Sequence, residues 1–231
     1  MSRRLSTDDV LIVVPARGGS KGIPRKNLRS FRGKPLIRHT FDLLQNLPEF
    51  THVLVSTEDK EIQDYCASQG FGTDYARPDE LAADDTPIAE VLIHAYEWTR
   101  TSTGRDFSFI MLMQPTSPLR KPQHVRSFTA KLLDTPTTSL VSVSPMTQHP
   151  MECLVAGESG PSWEYLVKPP PGAPGRQAYS KNFYFINGAL YGAGPDFLKR
   201  EKSFLIPGVT DLFLMGKEFA LDIDDPEDLN R

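Results

Sequence analysis

Short apolar runs alternate with longer amphipathic segments along most of the chain. Residues 10–14 form the first run, which is apolar at every position and ends at a proline. Such runs are typical of strands buried on both faces of a sheet, and similar runs predict further strands at residues 52–56, 107–113 and 139–143. The amphipathic or N-capped segments between them predict helices at residues 35–47, 57–70, 86–100 and 122–133.

Strands that alternate with helices of this length indicate βαβ units, and therefore a mostly parallel sheet covered by helices. The alternation fails at residues 145–182, which are rich in proline and contain three consecutive prolines at 169–171. We interpret this interval as a small inserted flap within a single domain of residues 1–231. Regular alternation returns at residues 183–191 and at 219–224, where it predicts the last two strands.

The composition argues against several classes of protein. A formal net charge of -3 disfavours a dedicated nucleic-acid binder or a protein bound to anionic membranes. No stretch approaches the roughly 18 consecutive apolar residues of a membrane span, and the polar first residues do not resemble a signal peptide. Cys66 and Cys153 are far apart and lack metal-ligand spacing. We therefore expect a cytoplasmic protein without a disulfide framework.

Positive charge is concentrated after the first predicted strand, where residues 17–38 contain eight Lys or Arg residues and no acid. The segment leaves the carboxyl end of a buried strand, where open α/β sheets bind ligands. Its glycines allow backbone N–H groups to approach an anion, and Arg17, Lys21 and Lys26 would neutralise that anion. A triphosphate fits this pattern, although neither a Walker A nor a dinucleotide-binding motif is present. The alternative is an ordinary solvated basic loop.

Acidic residues are concentrated near the end of the sequence. In the strand predicted at 219–224, the period of two puts Asp222 and Asp224 on the face opposite the aliphatic residues. Neighbouring carboxylates repel each other unless a cation lies between them, and Mg²⁺ prefers such oxygen ligands. The alternative is a cap-and-turn arrangement, which we assign instead to Asp225 and Pro226 as the N-cap and first residue of a helix.

A third segment follows the strand predicted at 107–113. Residues 114–120 contain two prolines, which fix the backbone of a short loop at the carboxyl end of that strand. Gln114 offers an amide to a sugar hydroxyl or a base edge, and Arg120 offers a cation to an anion. A rigid turn with a structural arginine explains this segment equally well.

Taken together, these segments resemble the acylneuraminate cytidylyltransferase family, which comprises the CMP-sialic acid synthetases and their relatives for other nonulosonic acids. The matching stretches are PARGGSKGIPRKN at residues 15–27, GKPLI at 33–37, VST at 55–57, RPDELA at 77–82, DT at 85–86, LMQPTSPLR at 112–120, NGALY at 187–191 and LDIDD at 221–225. The resemblance implies a Rossmann-like α/β fold with three αβα layers. It also implies a homodimer built partly from the inserted segment.

The resemblance further implies a reaction, in which CMP passes from CTP to the anomeric hydroxyl of an acidic nine-carbon sugar and pyrophosphate leaves, with Mg²⁺ as cofactor. Carried over by position, the triphosphate would be held by Arg17, Ser20, Lys21 and Lys26, and the cytidine by Asn27, Arg77 and Thr86. The sugar would face Gln114, Arg120, Arg176, Gln177, Asn187 and Tyr191, and Mg²⁺ would bind Asp222 and Asp224. Lys21 and Arg17 would stabilise the reacting phosphates, and Asp224 or a bound water would accept the proton of the attacking hydroxyl.

Two positions depart from the sialic-acid-specific members of the family. Phe185 stands where an arginine is usual, and Glu152 stands where a lysine is expected. Both changes remove positive charge near the acceptor, so N-acetylneuraminate is not assumed to be the sugar. Two other hypotheses remain open, namely a cytidylyltransferase for another acidic sugar such as a 3-deoxy-octulosonate, and a non-catalytic nucleotide-binding paralogue.

Overall fold

A six-stranded sheet forms the centre of the protein. The computed structural model describes residues 4–134, 138–157, 162–172 and 182–231. The strands are β1 (Val10–Pro15), β2 (Ser30–Phe31), β3 (Lys34–Pro35), β4 (Val53–Ser56), β5 (Phe109–Leu112), β6 (Ser139–Pro145), β7 (Leu154–Ala156), β8 (Trp163–Tyr165), β9 (Tyr184–Ala193) and β10 (Asp211–Leu214). The α-helices are α1 (Leu36–Gln45), α2 (Lys60–Ser68), α3 (Ile88–Thr103), α4 (Pro122–Asp134) and α5 (Pro195–Glu201).

The central sheet has the strand order β10-β6-β9-β5-β1-β4. β1 pairs in parallel with β4 and β5, and β10 pairs in parallel with β6. β9 runs antiparallel to both of its neighbours, β5 and β6. The mostly parallel sheet predicted from the alternating pattern is therefore confirmed. Because all the other strands of this sheet run in one direction, their carboxyl ends meet at a single edge.

The two faces of β1 explain why its sequence is apolar at successive positions. Val10, Ile12 and Val14 pack into a buried cluster that includes side chains of α1, α2 and α4. Leu11 and Val13 pack into a second cluster, with side chains of α3 and α5. The sheet therefore lies between two layers of helices, which is the three-layer, Rossmann-like arrangement expected from the sequence.

The prediction of a strand at residues 219–224 is wrong. Lys217–Phe219 form a 3-10 helix, and the residues that follow pair with no strand of the described sheet. Instead, Ile223 donates its backbone N–H to the carbonyl oxygen of Thr116 at 2.8 Å. Thr116 lies beyond the end of β5, so the acidic segment crosses the edge of the sheet, where there is no strand to pair with. The predicted alternation of faces survives, because Ile223 is buried while Asp222 and Asp224 line a cavity.

Two elements near the end of the chain were not predicted from the sequence. The first is α5, and the second is the edge strand β10, whose four residues are too few to display a period. The register of β10 comes from pairing with β6, which sets Leu212 opposite Val141. Tertiary pairing, and not local pattern, therefore defines this edge of the sheet.

The described residues that follow β6, up to Gly172, lie outside the central sheet. After β6 ends at Pro145, the strands β7 and β8 pair with each other in an antiparallel hairpin. This hairpin exposes several large apolar side chains, including Leu154, Trp163 and Tyr165. Of the helices in the four described ranges, none has the length and hydropathy needed to cross a bilayer.

Candidate active site

A cavity of about 610 Å³ opens at the carboxyl edge of the sheet, where β1 and β5 end. Five parts of the chain that are distant in sequence line it. They are the loop after β1, residues 77–91, the loop after β5, Tyr191 of β9 and the acidic segment near the end of the chain. The predicted site residues that line this cavity are Arg17, Ser20, Lys21, Lys26, Asn27, Arg77, Thr86, Gln114, Tyr191, Asp222 and Asp224.

The basic loop and the acidic segment are in direct contact. Lys26 donates its Nζ to Ile223 O and to Asp224 Oδ1, both at 2.9 Å. Gly22 comes so close that a Cβ at its position would lie 2.7 Å from the carbonyl oxygen of Asp224. A glycine here therefore allows the two backbones to meet. The opposed charges inferred from the sequence lie in one cavity.

The first glycine of the loop does not present its N–H to the cavity. Gly18 N donates to Glu58 Oε1 at 2.7 Å, and a side chain at Gly18 would collide with Asp59. Glu58 and Asp59 precede α2, and Asp59 is the N-cap of that helix. Gly18 therefore anchors the loop on the start of α2. The expectation that the loop glycines turn their N–H groups toward an anion in the cavity does not hold for this residue.

An acid that was not predicted to be in the site faces two cations of the loop. Asp84 Oδ1 lies 2.5 Å from Arg17 Nη1, and Asp84 Oδ2 lies 2.8 Å from Lys21 Nζ. Hydrogen bonds from Lys21 and Arg17 hold the pKa of the Asp84 carboxyl below its usual value. Asp84 directly precedes Asp85, and the sequence does not distinguish which of the two acids faces the cavity.

The carboxylates of Asp222 and Asp224 fit a bound Mg²⁺ ion. Burial raises the pKa of Asp222, and the nearby charge of Asp224 adds to this shift. The Oδ1 atom of Asp222 is buried without a hydrogen-bond partner, which leaves an oxygen available to a ligand. In the described part of the chain, no group of three or more His, Cys, Asp or Glu side chains forms a metal site. A pair of carboxylates suits Mg²⁺, which usually keeps waters and takes its other ligands from substrate phosphates.

Arg77 lies at the base of the cavity and is held by β4. Its Nε donates to Ser56 Oγ at 3.0 Å, and its Nη2 donates to Ser56 O at 2.6 Å. Burial lowers the pKa of this guanidinium from its ordinary value. Asn27, also predicted to contact the cytidine, donates its amide to Arg17 O at 3.0 Å. Both side chains therefore line the cavity and fix its walls.

Thr86 lines the cavity. The sequence predicted that the next helix begins at this residue with Thr86 as its cap, but Thr86 does not cap the helix. Its Oγ1 donates to Glu80 O at 3.4 Å, and α3 begins at Ile88. Apolar residues missed by the sequence analysis form the wall beside it; they are Leu81, Ala83, Ile88 and Val91. Their apolar character alone does not distinguish them from core residues, so no sequence signal marked them.

The role predicted for Arg120 is wrong, because this side chain is buried beneath the site and does not face the cavity. Its Nη1 donates to Ala189 O at 2.7 Å, and its Nη2 donates to Thr40 Oγ1 at 2.8 Å. Burial lowers the pKa of Arg120 to about 9, while the charge of Asp222 acts in the opposite direction. Arg120 therefore fits the alternative given for residues 114–120, a rigid turn with a structural arginine. It lies near Asp222, which is a predicted metal ligand.

Asn187 is likewise buried, and its amide is occupied by the sheet. Its Oδ1 accepts a hydrogen bond from Ser142 Oγ at 2.6 Å, and its Nδ2 donates to Ser144 Oγ at 2.9 Å. The structure therefore corrects its predicted contact with the sugar, since this side chain ties β9 to β6. The remaining predicted sugar contacts, Arg176 and Gln177, lie outside the described residues.

Replacing Arg120 with alanine is expected to lower the free energy of unfolding by about 3 kcal/mol, because two buried hydrogen bonds and the counter-charge of Asp222 are lost. Thermal unfolding should then shift downward by roughly 6–12 °C. The control is Arg126→Ala, since Arg126 is exposed and bonds Glu49. If both variants shifted the melting temperature equally, the structural role of Arg120 would be refuted.

The chain is similar to known proteins that make CMP-activated sugar acids. The cytidylyltransferase family model matches residues 11–156. CMP-N,N'-diacetyllegionaminic acid synthase of Legionella pneumophila is 32% identical over 221 residues, which cover 95% of this chain and 92% of that relative. N-acylneuraminate cytidylyltransferase of Streptococcus agalactiae serotype V is 30% identical over 224 residues, covering 94% of this chain and 51% of the relative. Pseudaminic acid cytidylyltransferase of Campylobacter jejuni is 24% identical, with 95% and 92% covered.

Among solved structures, CMP:2-keto-3-deoxy-manno-octonic acid synthetase in complex with CTP has a TM-score of 0.68 at 17% identity, over 96% of this chain and 95% of that one. This likeness, at low identity, concerns the fold. The sequence matches carry the assignment further, because they extend over nearly the whole chain. The protein belongs to the cytidylyltransferase family, together with the N-acylneuraminate cytidylyltransferases and the related CMP-nonulosonic acid synthases.

Proposed function

We propose that the protein transfers CMP from CTP to the anomeric hydroxyl of a nonulosonic acid and releases pyrophosphate. The observation that carries this proposal is the meeting of the basic loop and the Asp222–Asp224 pair in one cavity, through the contacts of Lys26 and Gly22. A nucleotide triphosphate and its cation require this combination of charges at close quarters.

The loop cations would act on the phosphates of CTP. Arg17 and Lys21 point their charged groups to the same position, since both contact the carboxylate of Asp84. Cations fixed at that position would stabilise the charge that grows on the phosphoryl oxygens and on the leaving pyrophosphate. Ser20 lines the same cavity and would donate a hydrogen bond to a phosphate oxygen. Asp224, the more exposed of the two acidic ligands, or a water beside it would accept the proton of the attacking hydroxyl.

Mg²⁺ is the metal we assign to Asp222 and Asp224, on the basis of their oxygen ligands and the unpaired buried oxygen of Asp222. When bound, this ion would neutralise phosphate charge and acidify the attacking hydroxyl. Lys26 already donates to Asp224 and would hold that carboxylate in position at the edge of the site.

The acceptor would enter between the loop after β5 and the part of β9 that contains Tyr191. Gln114 and Tyr191 line the cavity there, and burial raises the pKa of Tyr191 to about 12. The hydroxyl is protonated at neutral pH, as that of an ordinary tyrosine is, and can donate a hydrogen bond to an acidic sugar. Two observations favour a diacetamido nonulosonic acid over N-acetylneuraminate. Neither Phe185 nor Glu152 is basic, and the chain is similar to the CMP-N,N'-diacetyllegionaminic acid synthase of Legionella pneumophila.

A homodimer in the cytoplasm is part of the proposal. The exposed apolar side chains of the β7–β8 hairpin, with those of Ile186 and Leu166, would be covered by a second copy of the chain. The free thiols of Cys66 and Cys153 fit a reducing compartment.

A substrate panel tests the proposed function. Purified protein is incubated with Mg²⁺, one of CTP, UTP or ATP, and one acid from the set N,N'-diacetyllegionaminic, pseudaminic, N-acetylneuraminic and 3-deoxy-octulosonic acid. We expect pyrophosphate release and a CMP-sugar only with CTP, and fastest with the diacetamido acids. Preferential turnover of the octulosonate would instead support the alternative acceptor. CTP binding without turnover of any acid would support a non-catalytic paralogue.

A further inference from the structure

Asp84 occupies a position in the cavity that a phosphate group would need. Its two carboxylate oxygens accept from Arg17 Nη1 and Lys21 Nζ, at 2.5 Å and 2.8 Å. Both cations belong to the loop after β1, whereas Asp84 comes from the opposite wall, between the 3-10 helix Asp79–Leu81 and α3. The contact therefore joins the two walls of the cavity at the position where the phosphates of CTP are proposed to bind.

A carboxylate and a phosphate compete for the same donors. Each is an oxygen anion that takes charge-assisted hydrogen bonds from guanidinium and ammonium groups. A pyrophosphate or triphosphate placed against Arg17 and Lys21 would also be repelled by the charge of Asp84. A polyanion must therefore displace Asp84 in order to bind both cations fully.

The surroundings of Asp84 allow such a displacement. The acid lies on a turn whose backbone bonds are local, from Ala82 N to Asp79 O at 3.0 Å and from Thr86 N to Ala83 O at 3.3 Å. Its side chain is 36% exposed, and that of Lys21 is 82% exposed. Neither side chain is locked by core packing, so their ion pair can open without disturbing the sheet or α3.

We propose that Asp84 competes with phosphate for Arg17 and Lys21, and that its return to these cations after the reaction displaces pyrophosphate. This inference rests on the proposed function and assigns a product-release residue to it. The reaction needs tight contacts to phosphate only while the phosphoryl group is transferred. An internal anion that takes back the same donors lowers the affinity for the leaving product.

Pyrophosphate binding to the Asp84→Asn variant tests this role. The matched control is Asp85→Asn, which removes the same charge from the neighbouring exposed residue. Titration calorimetry with pyrophosphate in EDTA should give a dissociation constant at least about five-fold lower for Asp84→Asn than for the unaltered protein, because two ion pairs no longer compete. The control should change it by less than about two-fold, and the difference should shrink as salt is added.

Equal or weaker binding of pyrophosphate by Asp84→Asn would overturn the proposal, since it would make Asp84 a support for Arg17 and Lys21. During turnover, the same variant should be inhibited by lower pyrophosphate concentrations than the Asp85→Asn control. Different outcomes would refute the proposed function and the role of Asp84. If the unaltered protein bound neither pyrophosphate nor CTP when Mg²⁺ was also supplied, the proposed function would fail, and the role of Asp84 with it. If it bound both and Asp84→Asn bound no tighter, only the role of Asp84 would fail.

Discussion

Replacing Lys21 with alanine is expected to lower kcat/KM for CTP on the order of 10²-fold or more. The ammonium group lies in the cavity beside Arg17, with both groups directed to the same position. No other lysine of the loop after β1 can take over its position, because Lys26 is held by Ile223 and Asp224. Steady-state rates of pyrophosphate release measure the loss.

The control for this prediction is Lys60→Ala, which removes the same side chain from an exposed position at the start of α2, where Lys60 pairs with Asp64. It changes the net charge equally but leaves the cavity intact, so its kcat/KM should stay within about two-fold of the unaltered value. Near-normal turnover of the Lys21 variant would refute its assignment to the phosphate site.

Replacing Asp222 with asparagine is the second change with a large expected effect, again on the order of 10²-fold in kcat. Asparagine keeps the shape of the side chain, which packs beside Gly188, but removes the charge that a cation requires. The concentration of Mg²⁺ that gives half of the maximal rate should also rise, since a neutral amide is a poorer ligand. Initial rates measured over a series of Mg²⁺ concentrations test both expectations.

The matched control is Glu227→Gln, which removes one carboxylate charge from an exposed position a few residues further along the chain. It should leave both kcat and the Mg²⁺ dependence unchanged. A fall in rate equal to that of Asp222→Asn would mean that the general negative charge of this segment matters, and not a ligand in the cavity.

The parts of the fold that could be predicted from the sequence are those that local pattern determines. β1 is apolar throughout because both of its faces are buried, and α4 begins at the proline that the sequence marks. The strand expected at 219–224 failed because a period of two describes any extended chain, whether or not a neighbouring strand is present. β10 was missed for the converse reason, since pairing with β6 defines it.

The residues of the candidate site also fall into those that local sequence pattern predicts and those that only distant contacts reveal. Arg17, Lys21, Asp222 and Asp224 line the cavity as predicted, because glycine-rich basic loops and paired acids are unusual enough to be recognised locally. Asp84 could not be assigned, since its role depends on contacts with residues more than sixty positions away in the chain.

The sequence also did not predict that the side chains of Arg120 and Asn187 are buried. Both lie within stretches that match the family, which is why they were expected to face the sugar. In the structure, Arg120 bonds Thr40 and Ala189, while Asn187 joins neighbouring strands. A polar residue within a motif can therefore serve the framework that holds the site, and only the three-dimensional contacts distinguish this role from binding.

A crystal structure of the protein with CTP and Mg²⁺ tests the central claim most directly. We predict that the triphosphate lies between the loop after β1 and the acidic segment, with phosphate oxygens bonded to Arg17 and Lys21 and with the metal on Asp222 and Asp224. A triphosphate bound away from these four side chains, or a metal held elsewhere, would contradict the account.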